Sequence, residues 1–149
     1  MFWLAIFGTI LEGYIGSKKF LGVFILSGLV ANLSAFTFYA NSSVLGASGA
    51  VSGVILTLAI LKPRSLGLAM GVPMPLWGAA IVWFVTNTIM TLAGVPGIAA
   101  AAHLYGAIFG VFCGLYLKEE VSSKEKERKI KGAKIPEERL REWEEKYLS

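Results

Sequence analysis

The sequence predicts an all-α, polytopic membrane protein with five spans, and three observations predict it. Apolar residues make up 55% of the 149-residue chain against 16% charged, with a mean hydropathy of +0.64, a balance wrong for a soluble domain. The charges are also segregated. Residues 1–117 contain only Glu12, Lys18, Lys19, Lys62 and Arg64, and every other charged residue lies in 118–149. Finally, the basic residues recur in alternate connections between apolar segments, the pattern left when Lys and Arg are retained on the cytoplasmic side. The chain therefore divides into an apolar transmembrane domain, 1–117, and a charged cytoplasmic tail, 118–149.

Five apolar segments carry the spans, with roughly 20 helical residues needed to cross about 30 Å of hydrocarbon. Phe2 to Ile15 is short and Phe20 to Tyr39 is full length. Ala47 to Leu61 is short but apolar apart from Ser48, Ser52 and Thr57, and Leu76 to Leu92 and Ala99 to Leu117 complete the set. Lys18 and Lys19 separate the first and second segments, and Lys62 and Arg64 separate the third and fourth. The connections Ala40 to Gly46 and Ala93 to Ile98 carry no charge. Strict alternation then puts the N-terminus outside and the tail in the cytoplasm of a multi-pass cell-membrane protein. Pro73 and Pro75 break the connection before the fourth segment.

The tail opens with a Lys/Glu/Ser-rich stretch to Lys134, expected to be a flexible or helical extension without a core. After Pro136, Glu137 and Glu138 favour a helix start, and Leu140, Trp143 and Tyr147 recur at helical spacing. A short amphipathic helix is expected there.

Composition also excludes several classes. The net charge of +4 arises from a tail that mixes Glu with Lys and Arg and makes no basic stripe, so nucleic acid is not an expected partner. The single cysteine, Cys113, lies in an apolar run, which leaves no disulfide framework or metal-ligand cluster; no metal or cofactor is implied. The apolar N-terminus lacks a basic n-region and an A-x-A site before Glu12, so a cleavable signal peptide is not expected.

The third segment opens with Gly46-Ala47-Ser48-Gly49-Ala50-Val51-Ser52-Gly53. Two readings stand open. Small residues at i and i+4 allow close helix packing. A serine on rigid backbone, with glycines that let a substrate chain approach, also suits nucleophilic catalysis if a base is within reach. The chain's one histidine, His103, sits near the outer end of the fifth segment, at the depth of Ser48. An ionisable residue there is costly and marks a functional candidate. Gly106, Gly110 and Gly114 continue from it as a stripe that would let the fifth helix press on the small face of the third. Packing and catalysis thus support each other.

These residues resemble the rhomboid intramembrane proteases. The resemblance covers nearly all of 1–117 through Gly8, Glu12 and Gly16, the long span that follows, Gly46-Ala47-Ser48-Gly49, and Ala102-His103 with Gly106 and Gly110. It implies a Ser-His dyad without aspartate, with Ser48 as nucleophile and His103 as general base; the chain contains no Asp. It further implies Gly46, Ala47 and Gly49 as backbone around the oxyanion site, and Gly106 and Gly110 as packing beneath the dyad. The implied fold is a six-helix bundle open to water from the outside, in which the five spans here match helices two to six. The implied partners are transmembrane protein substrates and the lipid bilayer.

The family's His-x-x-x-Asn, which helps form the oxyanion hole, would end just before Met1. The chain is therefore expected to be a fragment rather than a reduced relative, and weakly active or inactive by itself, since oxyanion donors commonly contribute about 100- to 1000-fold. Ser52 stands where many members carry an aromatic that packs on the histidine, so that support is expected to be lost. Glu12 is expected to be a structural hydrogen-bonding residue, Asn87 to bond a neighbouring helix, and Trp3, Trp77 and Trp83 to be interfacial or packing aromatics. Two rival readings remain: a non-catalytic rhomboid-like binder of transmembrane clients, and a small transporter or channel subunit, for which no inverted repeat is visible.

Overall fold

The computed structural model describes residues 3–38, 47–69, 72–94, 99–133 and 137–147. Two compact units are present, Met1–Lys118 and Glu119–Ser149. In the first unit a π-helical turn, Leu4–Gly8, runs into α1, Thr9–Ile15. Then come α2, Ser17–Phe38; α3, Ser48–Leu61; a strand pair of β1, Leu66–Ala69, and β2, Val72–Pro75; and α4, Leu76–Leu92. Helix α5 is Ala100–Ala133.

Two helices, Ser17–Thr37 and the Ala100–Glu127 part of α5, are long and apolar enough to cross a bilayer alone. The other apolar helices, Leu4–Ile15, Ser48–Leu61 and Leu76–Leu92, are shorter. Helix α3, with 14 residues, reaches roughly 21 Å. Its shortness matters little because it does not face lipid. Eleven of its residues, from Gly49 to Leu61, are buried, so α3 is the core around which the other helices stand. The neighbours reverse the pattern of a soluble protein and present apolar side chains outward: Leu21, Ile25, Leu29 and Leu33 along α2, Ile81, Val85 and Ile89 along α4, Ile108, Phe112 and Leu115 along α5.

The turn between the first two helices is a single residue. Gly16 sits at φ 82°, where a Cβ is disfavoured, and its N–H donates to Glu12 O at 2.7 Å while its own carbonyl accepts from Phe20 N–H at 3.0 Å. The second span therefore begins at Ser17, and Lys18 and Lys19 lie in its first turn rather than in a connection. Tyr39, expected to end that span, lies outside the described residues, as do the connection Ala40 to Gly46 and most of the second uncharged one.

The all-α expectation needs one correction, since Leu66–Ala69 and Val72–Pro75 pair as antiparallel strands, with Leu66 opposite Pro75 and Leu68 opposite Pro73. In such a ribbon alternate residues aim their N–H groups away from the partner. Pro73 and Pro75 share that outward parity, whereas Leu76 N–H, of the other parity, donates to Ser65 O at 2.8 Å. The prolines thus cost the strand pair no hydrogen bond.

In the second unit, the stretch expected to be flexible or helical is helical to Ala133, with Lys124 paired to Glu120 at 2.7 Å. The amphipathic helix after Pro136 is α6, Glu137–Tyr147, whose Trp143 and Tyr147 rings lie 5.5 Å apart, tilted by 37°, and remain exposed.

Helices α3 and α5 meet backbone to backbone. A Cβ on Gly106 would overlap the carbonyl of Gly49, and one on Gly110 would overlap that of Gly53. One turn further, a Cβ on Gly114 would stand 2.7 Å from Ile60 Cβ. The other side of α3 is equally tight, with Gly53 against Ser27 and Gly49 against Ala31 of α2. The Thr57 hydroxyl lies 2.9 Å from Gly110 O and 2.8 Å from Gly53 O, stitching the two helices. Gly110→Ala is therefore expected to lower stability by about 1–3 kcal/mol through overpacking. Gly22→Ala, where a Cβ meets nothing within 4 Å, should be neutral or stabilising by up to about 1 kcal/mol. Thermal unfolding in detergent measures both, and equal melting temperatures would sink the packing account.

Candidate functional site

Ser48 is the first residue of α3, with Ala47 at its N-cap. The amides of this first turn have no acceptor within the helix, and the dipole places partial positive charge there. The N-cap makes no side-chain hydrogen bond to these amides. Ser48 itself is exposed, while Gly49 and Ala50 directly after it are buried. The serine is thus accessible, on backbone gripped from below.

His103 lies in the first turn of α5, three residues before Gly106. Because Gly106 packs on the Gly49 carbonyl, the start of α5 is pinned beside the start of α3. The imidazole then spans the gap. Its Nε2 lies 2.7 Å from Ser48 Oγ, and its Nδ1 lies 2.9 Å from Asn87 Oδ1 on α4. Asn87 is buried, and its Nδ2 donates to Trp83 O at 2.8 Å. Three helices therefore converge on one ring.

Ser48, His103, Gly49, Gly106 and Gly110 lie along this α3–α5 contact, with Ala47 at the N-cap just before it; Gly46 lies outside the described residues. Glu12 is half-buried, and its carbonyl closes the Gly16 turn. Ser52 is fully buried and turns its hydroxyl back to Ser48 O at 3.0 Å. The aromatic support expected to be lost at Ser52 comes instead from α4, where the Trp83 ring stands 6.2 Å from the imidazole, tilted by 32°. Asn87 as the second partner of His103 was not readable in the sequence. Its signal was an amide inside an apolar run, but no spacing rule says which helix it faces.

Beside Ala47 and Gly49, an apolar cleft of about 330 Å³ opens between α2 and α3, bordered by Phe24, Gly28, Ala31 and Asn32.

The Rhomboid domain, as a family-wide sequence model, matches residues 1–120. The chain belongs to the rhomboid family. It is 30% identical over 137 residues to "Rhomboid protein 1, mitochondrial" of Saccharomyces cerevisiae, an alignment that takes in 85% of this chain and 39% of that protein. This rhomboid chain thus spans about two fifths of the length of the curated relative it matches. No solved structure matches it. Family membership and two bilayer-length apolar helices identify a membrane protein with a rhomboid-like helical fold.

Proposed function

We propose that this rhomboid chain carries the reaction centre of an intramembrane serine protease, with Ser48 as nucleophile and His103 as general base. The observation that carries this reading is the 2.7 Å separation of Ser48 Oγ and His103 Nε2, a hydrogen bond at the accessible end of a buried helix. A transmembrane substrate unwinds near the small residues and presents a carbonyl to Ser48. His103 takes the hydroxyl proton, an acyl-enzyme forms, and water hydrolyses it. The developing oxyanion is met by backbone amides at the start of α3, those of Ser48 and Ala47 first.

A second reading, a non-catalytic binder of transmembrane clients, is favoured by the apolar cleft between α2 and α3, which needs no chemistry at Ser48. A fluorophosphonate probe separates the two in detergent. Labelling should occur and disappear in Ser48→Ala, and fall by roughly 10²- to 10⁴-fold in His103→Ala, the usual contribution of a positioned base. Absence of labelling from a folded protein that still retains a transmembrane peptide would favour the binder.

In the same reading, 1–117 is a multi-pass domain of a cell membrane and 118–149 a cytoplasmic tail, supported by the placement of Lys18, Lys19, Lys62, Arg64 and the basic tail. An epitope placed after Ser149 should be digested in open vesicles only where the cytoplasmic face is accessible. Digestion from the outer face alone would reverse the orientation.

A further inference from the structure

Asn87 is not one of the two residues assigned chemistry above, yet its surroundings determine which nitrogen of His103 holds a proton. The amide is 5% exposed and all of its oxygen and side-chain nitrogen atoms are engaged. Nδ2 donates to Trp83 O at 2.8 Å, and the backbone carbonyl accepts the Thr91 hydroxyl at 2.7 Å. A carbonyl only accepts, so Trp83 O selects the NH₂ end of the amide and turns Oδ1 toward the imidazole. Oδ1 also only accepts. The ring nitrogen facing it at 2.9 Å, Nδ1, is therefore the one that carries the hydrogen.

We propose that Asn87 is a positioning residue for proton transfer, holding neutral His103 with its proton on Nδ1 so that the Nε2 lone pair faces Ser48. The proposal rests on the serine-protease reading above. In the other tautomer Nε2–H would point at the hydroxyl, and the ring could not accept from it. With Nδ1 protonated, the sequence of events balances. As Ser48 Oγ bonds to the substrate carbonyl carbon, its O–H bond breaks and the proton moves to Nε2. The imidazolium formed holds two N–H groups, one donated toward Ser48 and one to Asn87 Oδ1, so the new charge faces an amide oxygen rather than hydrocarbon. When the tetrahedral adduct collapses, the Nε2 proton passes to the leaving amine. The ring returns to the tautomer in which it began.

The position of Asn87 is itself secured. Trp83 O is one turn earlier on the same helix, so the amide cannot flip without losing that hydrogen bond, and the Trp83 ring packs beside the imidazole. An acceptor on α4 thus orients a base on α5 toward a nucleophile on α3.

The chain contains one histidine, so ¹⁵N-imidazole spectra of the intact protein in detergent report His103 alone. At a pH where the ring is neutral, wild type should show a protonated Nδ1 and an unprotonated Nε2. Asn87→Leu should move part or all of the proton to Nε2 and lower kcat on a transmembrane peptide by about tenfold or more, with KM within about twofold. Asn87→Asp, which keeps an acceptor toward Nδ1, should restore the Nδ1–H form and most of kcat. A wild-type ring protonated on Nε2 overturns the proposal whether or not any variant folds. So does an Asn87→Leu protein that unfolds like wild type and either keeps the Nδ1–H form or loses rate without moving the proton. Cleavage by Ser48→Ala at the wild-type rate would instead remove the protease reading, a result independent of the tautomer.

Discussion

Backbone meets backbone where α3 crosses α5, and the rest of the candidate site hangs from that contact. Gly49 and Gly53 offer carbonyls to Gly106 and Gly110, with no side chain between them. Inside a membrane, helices gain little from hiding apolar surface from water, because lipid is equally apolar; close packing and hydrogen bonds across the seam hold them instead. Thr57 adds such a bond at the second glycine pair. The seam fixes the height of α5 against α3 to within less than one turn. A slip of one turn, about 5.4 Å, would break the 2.7 Å serine–histidine contact.

A consequence is that the candidate nucleophile sits on one of the helices too short to span a bilayer alone. Helix α3 begins at Ser48, whose hydroxyl is exposed while Gly49 and Ala50 after it are buried. Its burial on nearly all sides supplies the rigidity that its length does not. The helices around it, α2, α4 and α5, turn apolar side chains outward and small or polar ones inward. The polar atoms that do occur within them are mostly committed to specific partners, as Asn87 is to His103 and Trp83. Among the described residues, Ser27 Oγ and Trp83 Nε1 are buried without a partner, and both stand on helices packed against the seam.

The parts of this arrangement visible in the sequence are those set by composition and short repeats. The glycine stripe from Gly106 to Gly114 and the small-residue run from Gly46 to Gly53 each mark a face that needs a close neighbour, and together they name one another. The lone histidine at the right distance along its segment then points at the serine. What could not be read depends on tertiary placement. The strand pair of Leu66–Ala69 and Val72–Pro75 has no β-branched run, and its two prolines look like breakers until a partner strand shows that their missing N–H groups face away. The single-residue turn at Gly16 moves two lysines into α2, because a glycine at positive φ can reverse the chain without a loop. Trp83 supplies from α4 the aromatic support expected to be lost at Ser52, because the space beside a ring can be filled from any helix that reaches it; Asn87 was expected to bond a neighbouring helix, but its partner there, His103, depends on the same tertiary placement.

The central claim is that the glycine seam holds serine oxygen and imidazole nitrogen in direct contact, and an experimental structure of the protein in a bilayer nanodisc measures it most directly. The account predicts Ser48 Oγ and His103 Nε2 within about 3.2 Å of each other, with the Gly49 carbonyl lying against Gly106. A density map that places the two side chains on different faces of the bundle, too far apart for even one bridging water, would contradict it.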